Sequence, residues 1–178
     1  MNDTAADPSA GDGTGTDPID PGEFRRVLGH FPTGVTVVTG VGPDGHVGMA
    51  IGSFASVSLD PPLVMFCPGR TSTSWQAIRQ GGRFCVNVLG ADQKHVCDIF
   101  ARSGEDKFAG VTVRTEATGA PVIEGSLAWI DCDIHAVFDG GDHEIVVGRV
   151  RALGTDDTAG GAGPLLFYKG GYGTFREL

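Results

Sequence analysis

Ala128 to Phe138 reads AWIDCDIHAVF, with apolar Ala128, Ile130, Cys132, Ile134, Ala136 and Phe138 at the even positions and Asp131, Asp133 and His135 between them. Successive side chains of a strand point to opposite faces, so this period of two predicts a strand with one face in a core and the other in water. Working outward, 143–153 and 165–168 predict two more strands, and short β-branched runs bounded by Gly and Pro predict strands at 34–40, 46–51, 54–59, 63–67 and 84–89. Few helices interrupt them. Asp20-Pro21-Gly22-Glu23 predicts a helix start, with Asp20 as cap, Pro21 at the first helical position and Glu23 reaching back, leading through Phe24, Val27 and Leu28. A second helix is expected after Thr73, with Gln76 closing a capping box and Gly81 ending it. A third should run from Asp92 to about Ala101 and bury Val96, Ile99 and Phe100. Many closely spaced strands with a few short helices predict a mainly β fold, an antiparallel β-barrel rather than a doubly wound parallel sheet.

Composition sets the outer limits. The 178 residues carry a formal charge of −9, with 40% hydrophobic and 20% charged residues, which excludes a fibre or a wholly disordered chain. Residues 1–19 are Asp, Gly, Thr, Pro and Ala with little to bury, so a disordered acidic tail is expected before a single domain over 20–178. The acidic balance and the lack of a Lys/Arg cluster argue against nucleic acid or an anionic membrane as partner. Cys67, Cys85, Cys97 and Cys132 form no C-x-x-C pair and read as free thiols. With no signal-like or membrane-spanning stretch, they predict a cytoplasmic protein.

Several stretches carry chemistry, each beside a plainer reading. Gly40-Val41-Gly42-Pro43-Asp44-Gly45 matches G-x-G-x-x-G, but Pro43-Asp44-Gly45 is a turn signature and strand follows, so a hairpin is expected and no Rossmann unit. Gly48 to Ser58, GMAIGSFASVS, is either a bed of exposed backbone groups and hydroxyls for a flat, heteroatom-rich ring or a Gly-tolerant bend with serines on a wet face. Arg70-Thr71-Ser72-Thr73-Ser74 precedes a helix, where hydroxyls, N–H groups and a guanidinium form an anion site, unless one hydroxyl is simply the cap. Gly140 to Gly148, GGDHEIVVG, presents His143 at a strand end, as a ligand contact and proton donor or as an ordinary turn residue. No metal-ligand spacing or nucleophile motif occurs, and His95 with Cys97 read as a surface imidazole and a core thiol.

Taken together, seven blocks in order resemble the flavin reductase family with the flavin-binding split-barrel fold, the reductase components of two-component flavin-dependent monooxygenases. They are FPTGVTVVT (Phe31 to Thr39), GMAIGSFASVSLDPPLVMFC (Gly48 to Cys67), STSWQAI (Ser72 to Ile78), FCVNVL (Phe84 to Leu89), EDKFAGV (Glu105 to Val111), GDHEIVVGRV (Gly141 to Val150) and PLLFYKGGYGTF (Pro164 to Phe175). The resemblance implies an NAD(P)H:flavin oxidoreductase that passes hydride from NADH, or NADPH, to reversibly bound FAD or FMN. The reduced flavin would go to a monooxygenase partner. It also implies that Ala50, Ile51, Gly52 and Ser53 line the pyrimidine side of the isoalloxazine, with Ser56 and Val57 nearby and Cys67 at the ring floor. Ser72, Ser74 and Lys107 would lie toward the ribityl and phosphate end, His143 would meet the nicotinamide or the flavin face, and Tyr168 with Tyr172 would help close the groove. Ala50 and Gly52 stand where relatives commonly carry Thr and Ser, so two hydroxyl contacts pass to backbone or water. A homodimer with the groove at the subunit interface is implied as well. The rival readings are a non-catalytic flavin- or haem-binding split-barrel module and a relative of the pyridoxamine-phosphate oxidases or deazaflavin-dependent enzymes.

Overall fold

The computed structural model describes residues 18–104, 106–156 and 163–178. Most of the expected acidic tail therefore lies outside the described residues. Helix α1 (Pro21–Leu28) opens the fold and is capped by Asp20, whose carboxylate accepts from the Glu23 N–H at 2.8 Å. Glu23 itself does not reach back to the cap; its carboxylate pairs with Arg26 at 2.6 Å, a stronger charged partner one turn on.

Among the described residues twelve strands follow: β1 (Thr33–Gly34), β2 (Thr36–Gly42), β3 (Gly45–Ile51), β4 (Ala55–Leu59), β5 (Pro62–Phe66), β6 (Arg83–Val88), β7 (Val113–Thr115), β8 (Pro121–Ile123), β9 (Ala128–Gly140), β10 (His143–Thr155), β11 (Leu165–Tyr168) and β12 (Gly171–Thr174). Helix α2 (Thr73–Gly81) lies between β5 and β6, and α3 (Lys94–Phe100) between β6 and β7. Seven strands form one antiparallel sheet in the order β3-β2-β6-β9-β10-β5-β4. The turn at Pro43-Asp44 does close a β2–β3 hairpin, with Gly42 opposite Gly45. The expected strand 34–40 is broken, because Val35 donates to Leu165 and takes Thr33–Gly34 into a small sheet with β11 and β12.

The large sheet is rolled into a split barrel. One buried cluster joins Met49 and Ile51 from one edge strand, Val64 and Phe66 from beside the other edge, and Phe84, Cys132 and Val146 from the middle. Trp75 and Ile78 of α2 plug this core, and Phe66 meets the Trp75 and Phe84 rings edge to face. The outer side of β2 is buried too: Val37, with Val35 just before the strand, packs with Val96, Cys97 and Phe100 around α3. Ile99 is only partly buried, and Cys97 takes its expected place in the core while His95 is exposed. Helix α3 approaches β3 closely because Gly48 has no side chain; a Cβ there would lie 2.6 Å from the Phe100 ring.

Strand β9 departs from strict alternation. Val147 pairs with Ala136 and Gly148 with Ile134, so His135 is the extra residue of a β-bulge. Beyond it the phase of the side chains reverses: Val137 packs on the core and Phe138 is 56% exposed, contrary to the alternating pattern. Asp131 is likewise not in water but fully buried, accepting from the Thr118 N–H at 2.7 Å and from the Thr118 hydroxyl. The β7–β8 hairpin, which carries no strong period-two signal, covers that face; buried Asn87 ties it down by accepting from the Ile123 N–H at 2.7 Å. Among the described residues no helix is long and apolar enough to cross a membrane.

A tight seam lies at Gly148, where a Cβ would sit 2.3 Å from the Phe84 ring, itself fully buried. Gly148→Ala should therefore overpack the barrel and cost about 1–3 kcal/mol, seen as a melting temperature lower by roughly 5 °C; an unchanged melting temperature would contradict this packing.

Candidate functional site

The two edge strands of the seven-stranded sheet, β3 and β4, are joined by only residues 52–54, so the barrel's split is bridged where β3 ends. Ser53 makes the bridge. Its hydroxyl accepts from the Cys67 N–H at 2.9 Å and donates to the Cys67 carbonyl at 3.3 Å, holding the end of β5 to the β3–β4 link. A groove of about 840 Å³ opens at this split, within the size range of small-molecule sites.

Four separate segments wall the groove. Met49, Ala50, Ile51, Gly52 and Ser53 form one side, Cys67 and Gly69 the floor beyond them, Thr71 to Ser74 the start of α2, and Phe100 to Gly104 with Lys107 the far side. His143 stands at the rim. Of the residues named from the sequence, Ala50, Ile51, Gly52, Ser53, Cys67, Ser72, Ser74, Lys107 and His143 are thus brought together. Ser56 and Val57 are not: they lie on β4, exposed, and Val57 is the extra residue of a bulge opposite β5. Tyr168 and Tyr172 line a separate cavity with His30 and Leu166. Tyr172 also borders a slot that shares Ala50, Ile51 and Gly52 with the groove wall, and its hydroxyl lies 3.3 Å from the Cys97 sulfur. That contact and burial push the Tyr172 phenol up to about 12.

The loop before α2 divides its work. Ser72, not Thr73, caps the helix, accepting from the Trp75 N–H at 3.2 Å, and Gly82 ends it in the left-handed conformation. Gln76 closes no capping box; its amide donates to the Arg70 carbonyl at 3.0 Å. Arg70 turns away from the helix start. Its guanidinium pairs with Asp139 at 2.7 Å and donates to the Gly141 carbonyl at 2.7 Å, so the expected anion site loses that cation. Two other cations serve the groove. Lys107 donates to the carbonyls of Gly48 and Phe100 at 3.1 and 3.4 Å, and burial lowers its pKa. Arg102 lines the same wall and was not singled out from the sequence, where a lone arginine after a helix gives no signal.

His143 begins β10 directly after a tight turn at Gly141-Asp142, with Gly141 at φ +81°. A β-bridge to Gly69 and a bond from the Glu144 N–H to the Pro68 carbonyl fix its backbone against the loop that walls the groove. Nδ1 lies 2.7 Å from the Asp142 carboxylate, which that hydrogen bond holds below the usual carboxylate range. The arrangement favours a proton on Nδ1 and leaves Nε2 on the Gly69 side, where a Cβ on Gly69 would come within 3.9 Å of it. Such a groove suits a flat polar ring against small residues, with a phosphate at the α2 start and the Lys107 side.

The description "Flavin reductase like domain" matches residues 28–176. A Pseudomonas putida flavin reductase is 56% identical over 163 residues, 90% of this chain and 93% of the relative. A Mycobacterium tuberculosis protein named flavin-dependent monooxygenase, reductase subunit HsaB, is 54% identical over 86% of this chain and 82% of its own length. The solved Streptomyces globisporus NADH:FAD oxidoreductase SgcE6, in complex with NAD and FAD fragments, superposes with a TM-score of 0.81 at 38% identity, over 90% of this chain and 98% of that one. The chain belongs to the flavin reductase-like family.

Ser53→Ala removes the bridge across the split and leaves the Cys67 N–H without its acceptor. It should cost about 0.5–1.5 kcal/mol and speed hydrogen exchange at the Cys67 amide; protection equal to the wild type would show that the hydroxyl does not hold the edges.

Proposed function

We propose that this member of the flavin reductase-like family reduces free flavin with NADH and releases it to a monooxygenase partner, with the groove at the split as the flavin site. The observation that carries the reading is the convergence of the small-residue β3 end, the α2 start, Lys107 and His143 on one groove of about 840 Å³. Flavin supplies the redox chemistry, taking hydride from the reduced nicotinamide into its ring system.

The chain's own residues bind, orient and balance charge. Backbone groups of Ala50 to Ser53 face the polar edge of the ring, and the N–H groups there stabilise negative charge that grows on reduction. Ser74 and Thr71 with the α2 N-terminus and Lys107 hold the phosphate end. His143 lines the same groove, and with Nδ1 held by Asp142 it turns Nε2 to the ring or the nicotinamide. Both FMN and FAD present the same ring and first phosphate to these residues, so either is taken, and reversibly, since the site is an open groove held by no covalent link.

Two further features belong to this reading. The apolar face of α1, with Phe24, Val27 and Leu28 each at least half exposed, continues through Phe31, which is 75% exposed. A second copy of the chain covers it, giving a homodimer, and light scattering at twice the chain mass is expected; a monomer would contradict the pairing. Four free thiols, three of them buried, fit work beside the oxygenase in a reducing cytoplasm.

The test follows absorbance of NADH with no flavin, FMN or FAD, and again with NADPH. Oxidation that depends on added flavin is expected, faster with NADH. Folded protein that oxidises neither nucleotide with either flavin would overturn the enzyme and leave a flavin- or haem-binding module. In stopped flow, His143→Ala should slow flavin reduction by about tenfold or more with the melting temperature unchanged; equal rates would remove His143 from the mechanism.

A further inference from the structure

Glu144 follows His143 directly, yet it faces the opposite way and is nearly fully buried against α2. Its carboxylate accepts from the Trp75 indole N–H at 2.6 Å and from Arg79 at 2.8 and 3.0 Å, and Arg70 approaches to 3.8 Å. The indole bond, followed by Arg79, holds its pKa below the ordinary carboxylate range, so it is charged at neutral pH.

Helix α2 has only nine residues; it buries Trp75 and Ile78 and lies close on β2, where the missing side chains of Gly42 and Gly81 make room for Ala77 and the Val41 carbonyl. Trp75 and Arg79 lie one turn apart on the same face, and one carboxylate grips both. That grip adds a polar anchor to the packing that seats α2, and the first turn of α2 supplies Thr73 and Ser74 to the groove. His143 does not need it. Its backbone is pinned separately, by the bridge to Gly69, the Glu144 N–H on Pro68 and the Arg70 N–H on Asp142.

We infer that Glu144 is a positioning residue for flavin binding: by clamping Trp75 and Arg79 it sets the orientation of the α2 start toward the phosphate end of the flavin, without setting the position of His143. The inference rests on the flavin reductase reading of the groove. It separates affinity from turnover, because the element it orients binds and the element that meets the nicotinamide is held by other bonds.

The experiment is steady-state NADH oxidation with FMN as the varied substrate, for the wild type, Glu144→Gln and Arg79→Met. Glu144→Gln keeps an oxygen for the indole but gives up the ion pair; Arg79→Met removes the same ion pair from the half-exposed side and leaves the indole bond intact. Both should raise the KM for FMN by about tenfold while kcat stays within about twofold, with NADH KM unchanged. The double variant should be no worse than Glu144→Gln alone, since that substitution already gives up the Arg79 ion pair. If the melting temperature shows Glu144→Gln to be unfolded, Arg79→Met alone decides. An FMN KM equal to the wild type in folded Arg79→Met, or a loss of kcat at unchanged KM, would overturn the positioning role. Wild-type protein that fails to oxidise NADH with FMN would instead overturn the function on which the role rests.

Discussion

Everything at the site depends on a barrel that does not close. The sheet begins and ends on β3 and β4, neighbours in sequence joined by residues 52–54, so its two edges meet at a point and diverge from there. An open edge exposes unpaired N–H and C=O groups, which is a liability in most folds and here a resource. Ser53 holds the meeting point through both polar atoms of the Cys67 backbone, and the unpaired edge of β3 beyond it becomes the wall of the groove. The small side chains of Ala50 and Gly52 keep that wall flat. The absence of two hydroxyls at these positions is then consistent with a ring held by backbone and shape.

The fold was largely legible because its core strands obey simple periodicity. β2, β5, β6 and β10 lie where β-branched runs between Gly and Pro placed them, to within a residue or two. What escaped was local. The bulge at His135 reverses the phase of β9, and a single inserted residue leaves the composition of the strand unchanged, so Phe138 looked as much like core as Ile134. Asp131 looked solvated because an aspartate on a strand usually is; the Thr118 bonds that satisfy it come from β7–β8, strands of three residues each that no period can reveal.

The site was legible in its members and not in their division of labour. Hydroxyls at 71–74 mark an anion-friendly helix start, and the structure does gather Thr71 to Ser74 into the groove. Which of them is the cap depends on where the chain turns, and that is set by the Arg70 clamp on Asp139 and Gly141, more than sixty residues away. Arg102 reaches the groove only because α3 ends beside it. Tyr168 and Tyr172 lie within a matching block, yet β11 and β12 carry them to the far side of the β3 wall. Glu144 had no signal at all in the sequence: a charge beside a histidine at a strand start is ordinary until Trp75 and Arg79 are seen to close on it.

On the proposed reading the scaffold binds in order to let go, with an accessible groove and separate supports for the α2 start and for His143. On that reading the flavin seats in the split. The most direct measurement is a crystal structure of the protein soaked with FMN. The isoalloxazine is expected against residues 50–53 with its phosphate between the start of α2 and Lys107; a flavin seated in the Tyr168 cavity, or anywhere off the split, would contradict this seat.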